Sequence, residues 1–180
     1  AEEPYSAVIA MGLPTVAVLS ARAFRGSWLS TLGVTLYLGI SATFYTLFTG
    51  AAALTVVSLI ALFTALYEHT WRPIVRLAVM AAGSIAIALI AWGPYVWAVM
   101  HSPVPLQTTA QHYLPEEGTQ IPVPFLSFSI VGFLCLMGLI YMVIRLNDQE
   151  VRALGISLIG SYLWIVVSMV ATLALSLIHI

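Results

Sequence analysis

Long apolar runs dominate this chain, and short polar stretches punctuate them. The first run covers Tyr5 to Ala21. Pro4 precedes it and suits a first helical turn, where its missing N–H would be unsatisfied anyway. Pro14 inside the run predicts a kink, and Arg22, Arg25 and Gly26 close it. From Ser27 to Tyr67 no residue is charged. That stretch is too long for one bilayer crossing of about 20 residues and suits two, with the break between Thr46 and Gly50, where Thr49-Gly50 offers the turn. Glu68-His69-Thr70-Trp71-Arg72 is a polar connection, and Pro73 opens a fourth run from Ile74 to Trp92. A fifth run extends from Phe125 to Ile144. After Arg145, Asn147, Asp148, Glu150 and Arg152, a sixth extends from Ala153 to Ile178.

The fold class this pattern predicts is all-α. Residues 1–180 read as one transmembrane helical region of a polytopic membrane protein, with about six transmembrane helices. One long external loop, residues 93–124, joins the fourth to the fifth. Such a long polar segment between spans is either a functional loop or a linker. Six of the nine prolines fall between Trp92 and Pro124, with two of the four histidines and no lysine or arginine.

Composition agrees with a lipid solvent. Hydrophobic residues make up 61% of the chain and charged residues 7%, against about 25% charge in a soluble domain. The net charge is −1 and there is no basic patch, so nothing suggests nucleic acid. Cys135 is the single cysteine and lies in an apolar run, which excludes an intrachain disulfide and reads as packing. The chain opens Ala1-Glu2-Glu3-Pro4 without a basic leader and closes on Ile180 straight from an apolar run. The expectation is a fragment of a larger polytopic protein.

Charge also predicts orientation. With six crossings, Arg22, Arg25, Arg72, Arg76, Arg145 and Arg152 all fall on one side, which the positive-inside rule makes cytoplasmic. Both chain ends and the long loop then lie outside. No run carries an ionisable residue near its middle, which argues against a proton-coupled transporter built from these helices. Ser30, Thr31, Thr35, Ser41 and Thr43 in the second run read as interhelical hydrogen-bonding groups.

The chemistry available concentrates in the loop and at its mouth. Trp92, Tyr95 and Trp97 cluster where the fourth run leaves the membrane. They serve as an aromatic belt at the headgroups, as a wall for a lipid tail or sugar ring, or as both. His101 alone reads as a solvated loop histidine. His112, Tyr113, Glu116, Glu117 and Gln120 supply an imidazole, a phenol, two acids and an amide within a short segment. A carboxylate there can serve as general base on an acceptor hydroxyl. A solvated Pro115–Gly118 turn accounts for the same residues without function. His112 and Glu116 have the i, i+4 spacing of a helical ligand pair, but Pro115 between them opposes a regular helix, so no metal site is predicted. No nucleotide-binding motif is present.

His112-Tyr113-Leu114-Pro115, Gly118-Thr119-Gln120 and Pro122-Val123-Pro124-Phe125 together resemble a loop of the arabinofuranosyltransferases that prime cell-wall galactan. The surrounding multi-span pattern is similar. The resemblance implies a GT-C-type membrane glycosyltransferase of arabinogalactan biosynthesis, acting at the outer face of the cell membrane. The implied donor is polyprenyl-phosphate arabinofuranose instead of a nucleotide sugar, the acceptor is galactan, and no cofactor is expected. It makes His112, Tyr113, Glu116, Glu117 and Gln120, with Trp92 and Tyr95, the substrate-binding candidates. In such enzymes the catalytic acid lies in the first large external loop, near the N-terminus. No segment matches that loop, so the expectation is a piece from the middle of the enzyme, without its main catalytic acid. The loop also lacks a cation for the donor phosphate. Two other classes stay open on residues alone: a transporter or flippase gated by the loop, and a non-catalytic membrane subunit.

Overall fold

The computed structural model describes residues 4–101 and 123–178, and every regular element among them is helical. In chain order these are α1 (Pro4–Phe24), α2 (Trp28–Phe44), α3 (Thr46–Ala52), a π-helical turn (Ala53–Val57), α4 (Ser58–Tyr67), α5 (Arg72–Met100), a short 3-10 turn (Pro124–Leu126), α6 (Ile130–Ile144) and α7 (Gln149–Ile178). Phe48–Tyr67, Arg72–Met100 and Gln149–Val170 are long and apolar enough to cross a membrane; Ile9–Phe24, Trp28–Phe44 and Ile130–Ile144 are shorter apolar helices.

Local chemistry sets the boundaries, and several differ from expectation. Gly26, at φ 127°, makes the tight link after α1, and the Ser27 hydroxyl caps α2 by accepting from the Ser30 N–H at 3.2 Å. The uncharged stretch does fold as two helical arms. They part at Tyr45 (φ −148°, ψ 86°), one residue before the expected Thr46–Gly50 break, and the Thr49-Gly50 pair expected to turn lies inside α3. The Thr49 N–H and hydroxyl both donate to the Tyr45 carbonyl, at 3.1 and 2.9 Å, and so close a helical turn where a chain reversal was expected. α5 does not stop at Trp92 but continues through Gly93 and Pro94 to Met100. Pro94 removes one ladder hydrogen bond, a loss that apolar helices tolerate when local adjustments re-satisfy the freed carbonyl. The connection after α5 therefore starts at His101. α6 begins at Ile130 instead of Phe125, because the Ser129 hydroxyl caps it from the Gly132 N–H at 3.0 Å. α7 begins at Gln149 instead of Ala153, because Asp148 accepts from the Glu150 N–H at 3.1 Å through its carboxylate.

α1 is the axis of the packing. Its Val16, Ala17, Ser20, Ala21 and Phe24 are buried against Val34 and Leu38 of α2, Val56 and Val57 of the π turn, Ile60 of α4, Met80 of α5 and Ala153 of α7. Gly160 lets α7 meet the Thr55 carbonyl of the π turn so closely that a β-carbon there would collide with it. α6 stands apart: Phe133, Leu134, Met137 and Tyr141 are all exposed, as expected of a surface facing lipid.

The arginines gather at one end of this bundle. Arg22 at the close of α1 pairs with Glu150 at the start of α7 at 2.7 Å. Arg76 in the first turns of α5 donates to the carbonyls of Ala23 and Gly26, at 2.6 and 3.0 Å. It thereby ties the turn after α1 to α5, and a cation near the C-terminus of α1 also suits the helix dipole. Arg152 lies over the Phe63 and Tyr67 rings at the close of α4, 5.4 and 4.7 Å from their centroids. Arg145 follows α6, and its carbonyl accepts from Asp148 at 2.9 Å at the turn into α7. From this end α5 rises through 29 residues, about 43 Å, so His101 lies at the opposite end of that helix.

Candidate functional site

Trp92 and Tyr95 are the two expected site residues that the structure describes. His112, Tyr113, Glu116, Glu117 and Gln120 lie outside the described residues. Trp92 sits where the broken hairpin has freed a carbonyl. A continuous helix would pair the Ala42 carbonyl with the Thr46 N–H, but Tyr45 interrupts the ladder. The Trp92 indole donates to that carbonyl at 2.9 Å, and the Thr46 hydroxyl donates to it at 3.1 Å. Trp92 is therefore a tertiary cap on α2 as well as part of an aromatic cluster. Tyr95 meets it edge-on, with 5.8 Å between ring centroids, and is 57% exposed. Trp97 and His101 pair separately, their centroids 4.3 Å apart, and His101 Nδ1 lies 2.8 Å from the Trp97 carbonyl. His101 is thus bound to the end of α5 instead of being free in solvent.

Below Trp92 an apolar groove of about 440 Å³ opens sideways between α2, α3, the π turn with the start of α4, and α5. Leu38, Val57 and Met80 form its floor; Leu54 and Ile85 form its open rim. It follows about 16 Å of α5 between Leu77 and Ala88. Ala88 is one helical turn from Trp92, and Ala42 belongs to both groove and cap, so the groove ends beneath the indole.

Four hydroxyl residues line this groove, and each hydroxyl donates to a backbone carbonyl. Thr46 uses Ala42 at 3.1 Å, Thr49 uses Tyr45 at 2.9 Å, Ser58 uses Ala53 at 2.9 Å, and Ser84 uses Thr35 at 3.1 Å. Their hydrogens are committed, so the wall presents hydrocarbon with few free donors. That surface matches an aliphatic chain. It does not match a sugar, whose hydroxyls each need a partner on burial. Neither groove nor hydroxyl orientation was foreseen from sequence; the only signal was the frequency of Ser and Thr in apolar runs. A second cleft of about 470 Å³ lies between α1, α6 and α7, with Leu13, Pro14, Phe125, Cys135 and Met142 on its walls. Among the described residues no group of three or more histidine, cysteine or acidic side chains could hold a metal ion.

A family model described as "Arabinofuranosyltransferase N terminal" matches residues 1–178. The galactan 5-O-arabinofuranosyltransferase of Corynebacterium glutamicum is 49% identical, over 96% of this chain and 26% of its own length. The protein of the same name from Mycolicibacterium smegmatis is 39% identical over 96% and 28% respectively. That from Mycobacterium leprae is 34% identical over 96% and 30%. The chain thus spans under a third of the length of these curated relatives. By its description, the matching family model covers the N-terminal region of such enzymes.

Proposed function

The chain belongs to the family of arabinofuranosyltransferase N-terminal regions, and from that premise we propose that the protein containing it transfers arabinofuranose from a polyprenyl-phosphate donor to galactan. The transfer takes place at the outer face of a membrane that the chain crosses about six times. The observation that supports this reading best is the sideways apolar groove ending beneath Trp92. A polyprenyl tail enters such a groove from lipid, with no polar group of the wall left to satisfy. The tail end that carries phosphate and sugar then lies at the end of α5 from which the polar 102–122 segment departs.

The division of labour follows from chemistry. The groove holds the tail, and Tyr95 and Trp92 flank the point where it leaves the bilayer. The loop residues His112, Tyr113, Glu116, Glu117 and Gln120 offer partners for sugar hydroxyls. In the transfer a base takes the proton of the galactan hydroxyl as that oxygen bonds to the anomeric carbon. The bond from that carbon to the phosphate oxygen breaks, and polyprenyl phosphate leaves. No lysine or arginine lies between Trp92 and Pro124, so the cation that meets the leaving phosphate comes from another part of the full-length protein. The base is expected in a segment of the full-length protein outside this chain, and Glu116 and Glu117 are the acids here that compete with it.

The test uses the full-length protein in lipid nanodiscs, with radiolabelled polyprenyl-phosphate arabinofuranose and a galactan oligosaccharide. Label should pass to the oligosaccharide. Ala88→Trp, which fills the groove at its Trp92 end, should raise the donor KM at least tenfold and leave the acceptor KM unchanged, as loss of several buried methylene contacts implies. Absence of transfer by the wild type would end the enzymatic reading. Normal donor KM in Ala88→Trp would separate the groove from the donor.

A further inference from the structure

At the arginine end, lined by other residues of α5 than the proposed tail groove, the structure holds a second arrangement with the features of a ligand site. A hollow of about 680 Å³ lies between the start of α2 and the turn joining α4 to α5, lined chiefly by Trp28, His69, Trp71, Arg72, Val75 and Arg76. We propose that it binds the headgroup of an anionic phospholipid, with the acyl chains lying along Val75 and Val79.

The hollow is positive and carries no acid of its own. α5 begins here without an acidic residue in its first turn and without a side-chain cap at Trp71, so the positive end of its dipole is not neutralised locally. Arg76 is already committed: it bonds the Ala23 and Gly26 carbonyls and stacks on Trp28, 4.9 Å from the ring centroid. Arg72 is exposed and makes no hydrogen bond or ion pair with a described residue. The nearest acid in sequence, Glu68, faces the adjoining hollow beside Gln149 and Arg152. An anion at Arg72 therefore finds a guanidinium that no described residue pairs. A zwitterionic headgroup would bring an ammonium with no carboxylate in this hollow to receive it.

Two further features favour a lipid over a soluble anion. Trp28 and Trp71 are 66% and 80% exposed at the mouth of the hollow, where indoles settle at the level of headgroups. Val75 and Val79 continue the same hollow along α5 as an exposed apolar strip suited to acyl chains. His69 adds a donor. It closes α4 at φ 48°, with the Thr70 N–H bonding the Ala65 carbonyl at 3.1 Å, a position that glycine usually fills. The imidazole is held at the hollow despite that conformational cost.

Native mass spectrometry of the full-length protein, released from mixed micelles, tests this with phosphatidylglycerol and phosphatidylcholine at equal concentration. The wild type should retain phosphatidylglycerol preferentially. Arg72→Gln should lower that retention about fivefold, as loss of one arginine at an anionic surface implies. Arg145→Gln, a change at the same end but outside the hollow, should leave it unaltered. Retention unchanged in Arg72→Gln, or lost equally in Arg145→Gln, overturns the assignment in favour of a diffuse field. A measurement on the wild type alone covers the case in which a variant fails to fold. Excess inorganic phosphate should leave the bound lipid in place, and its displacement by phosphate would show a soluble-anion site instead.

Discussion

The indole of Trp92 on α5 donates to the carbonyl of Ala42 on α2 across 2.9 Å, at the residue whose helical partner is lost to the break at Tyr45. The bond ties the break in one hairpin to a tryptophan fifty positions further along. It gives Trp92 a structural task that its neighbour Tyr95 does not share.

The two aromatic residues should therefore separate experimentally. Trp92→Phe keeps a ring but removes the donor, while the Thr46 hydroxyl still meets the carbonyl. A stability loss of about 0.6–1 kcal/mol is expected, the range for an interhelical hydrogen bond in lipid or a typical bond in water. Tyr95→Ala removes a ring that is more than half exposed. It should leave stability within about 0.5 kcal/mol and lower transfer activity. Denaturant titration in mixed micelles, beside the transfer assay, reads both. Equal effects of the two changes on stability would remove the distinction.

Packing at the π turn gives an independent prediction. Gly160 meets the Thr55 carbonyl, whereas Gly138 on α6 has open space where a β-carbon would go. Gly160→Ala should destabilise the fold by about 1–3 kcal/mol, the cost of overpacking. Gly138→Ala should be neutral or stabilising by up to about 1 kcal/mol, since alanine suits a helix better. Thermal unfolding of the two variants under one set of conditions checks the sign of each effect.

The helical architecture was legible in the sequence because apolar runs and their punctuation are one-dimensional signals. The six arginines were legible for the same reason, and they do collect where α1 and α4 end and α5 and α7 begin. The errors came from residues with two uses. Thr49-Gly50 and Gly93-Pro94 have turn composition, yet both lie inside helices whose apolar surroundings favour keeping the backbone paired. Ser129 and Asp148 were readable as caps, and reading them so would have moved the starts of α6 and α7 to their observed places. The groove could not be read at all, since its walls come from four helices. The commitment of Thr46, Thr49, Ser58 and Ser84 to backbone carbonyls depends on side-chain orientation. Of the expected site, Trp92 and Tyr95 come together as neighbours. The five loop residues lie outside the described residues.

The sidedness that the arginine pattern predicts is open to chemical labelling. In a Cys135→Ala background, single cysteines at Thr119 and Asp148 should react from opposite faces of intact cells, with Thr119 reached by a membrane-impermeant maleimide. Asp148 lies at the arginine end, between Arg145 and Arg152, which the positive-inside rule places in the cytoplasm. Labelling of both positions from outside would refute the six-crossing arrangement.

The acids of the loop decide where the base resides. If His112, Tyr113, Glu116 and Glu117 bind sugar hydroxyls, loss of one charged hydrogen bond should cost about 1.5–3 kcal/mol. At the transition state that is roughly a ten- to hundredfold fall in rate. Loss of the general base should cost about 10²–10⁴-fold. Glu116→Gln and Glu117→Gln, compared in the full-length enzyme at matched expression, separate these cases. A fall of the smaller size in both assigns them to sugar binding and leaves the base in another segment. A fall of the larger size in one alone, with kcat lowered and donor KM unchanged, makes that glutamate the base. Full activity in the alanine variants of all four residues would reduce the loop to scaffold. The proposed donor site would then rest on the groove beneath Trp92 alone.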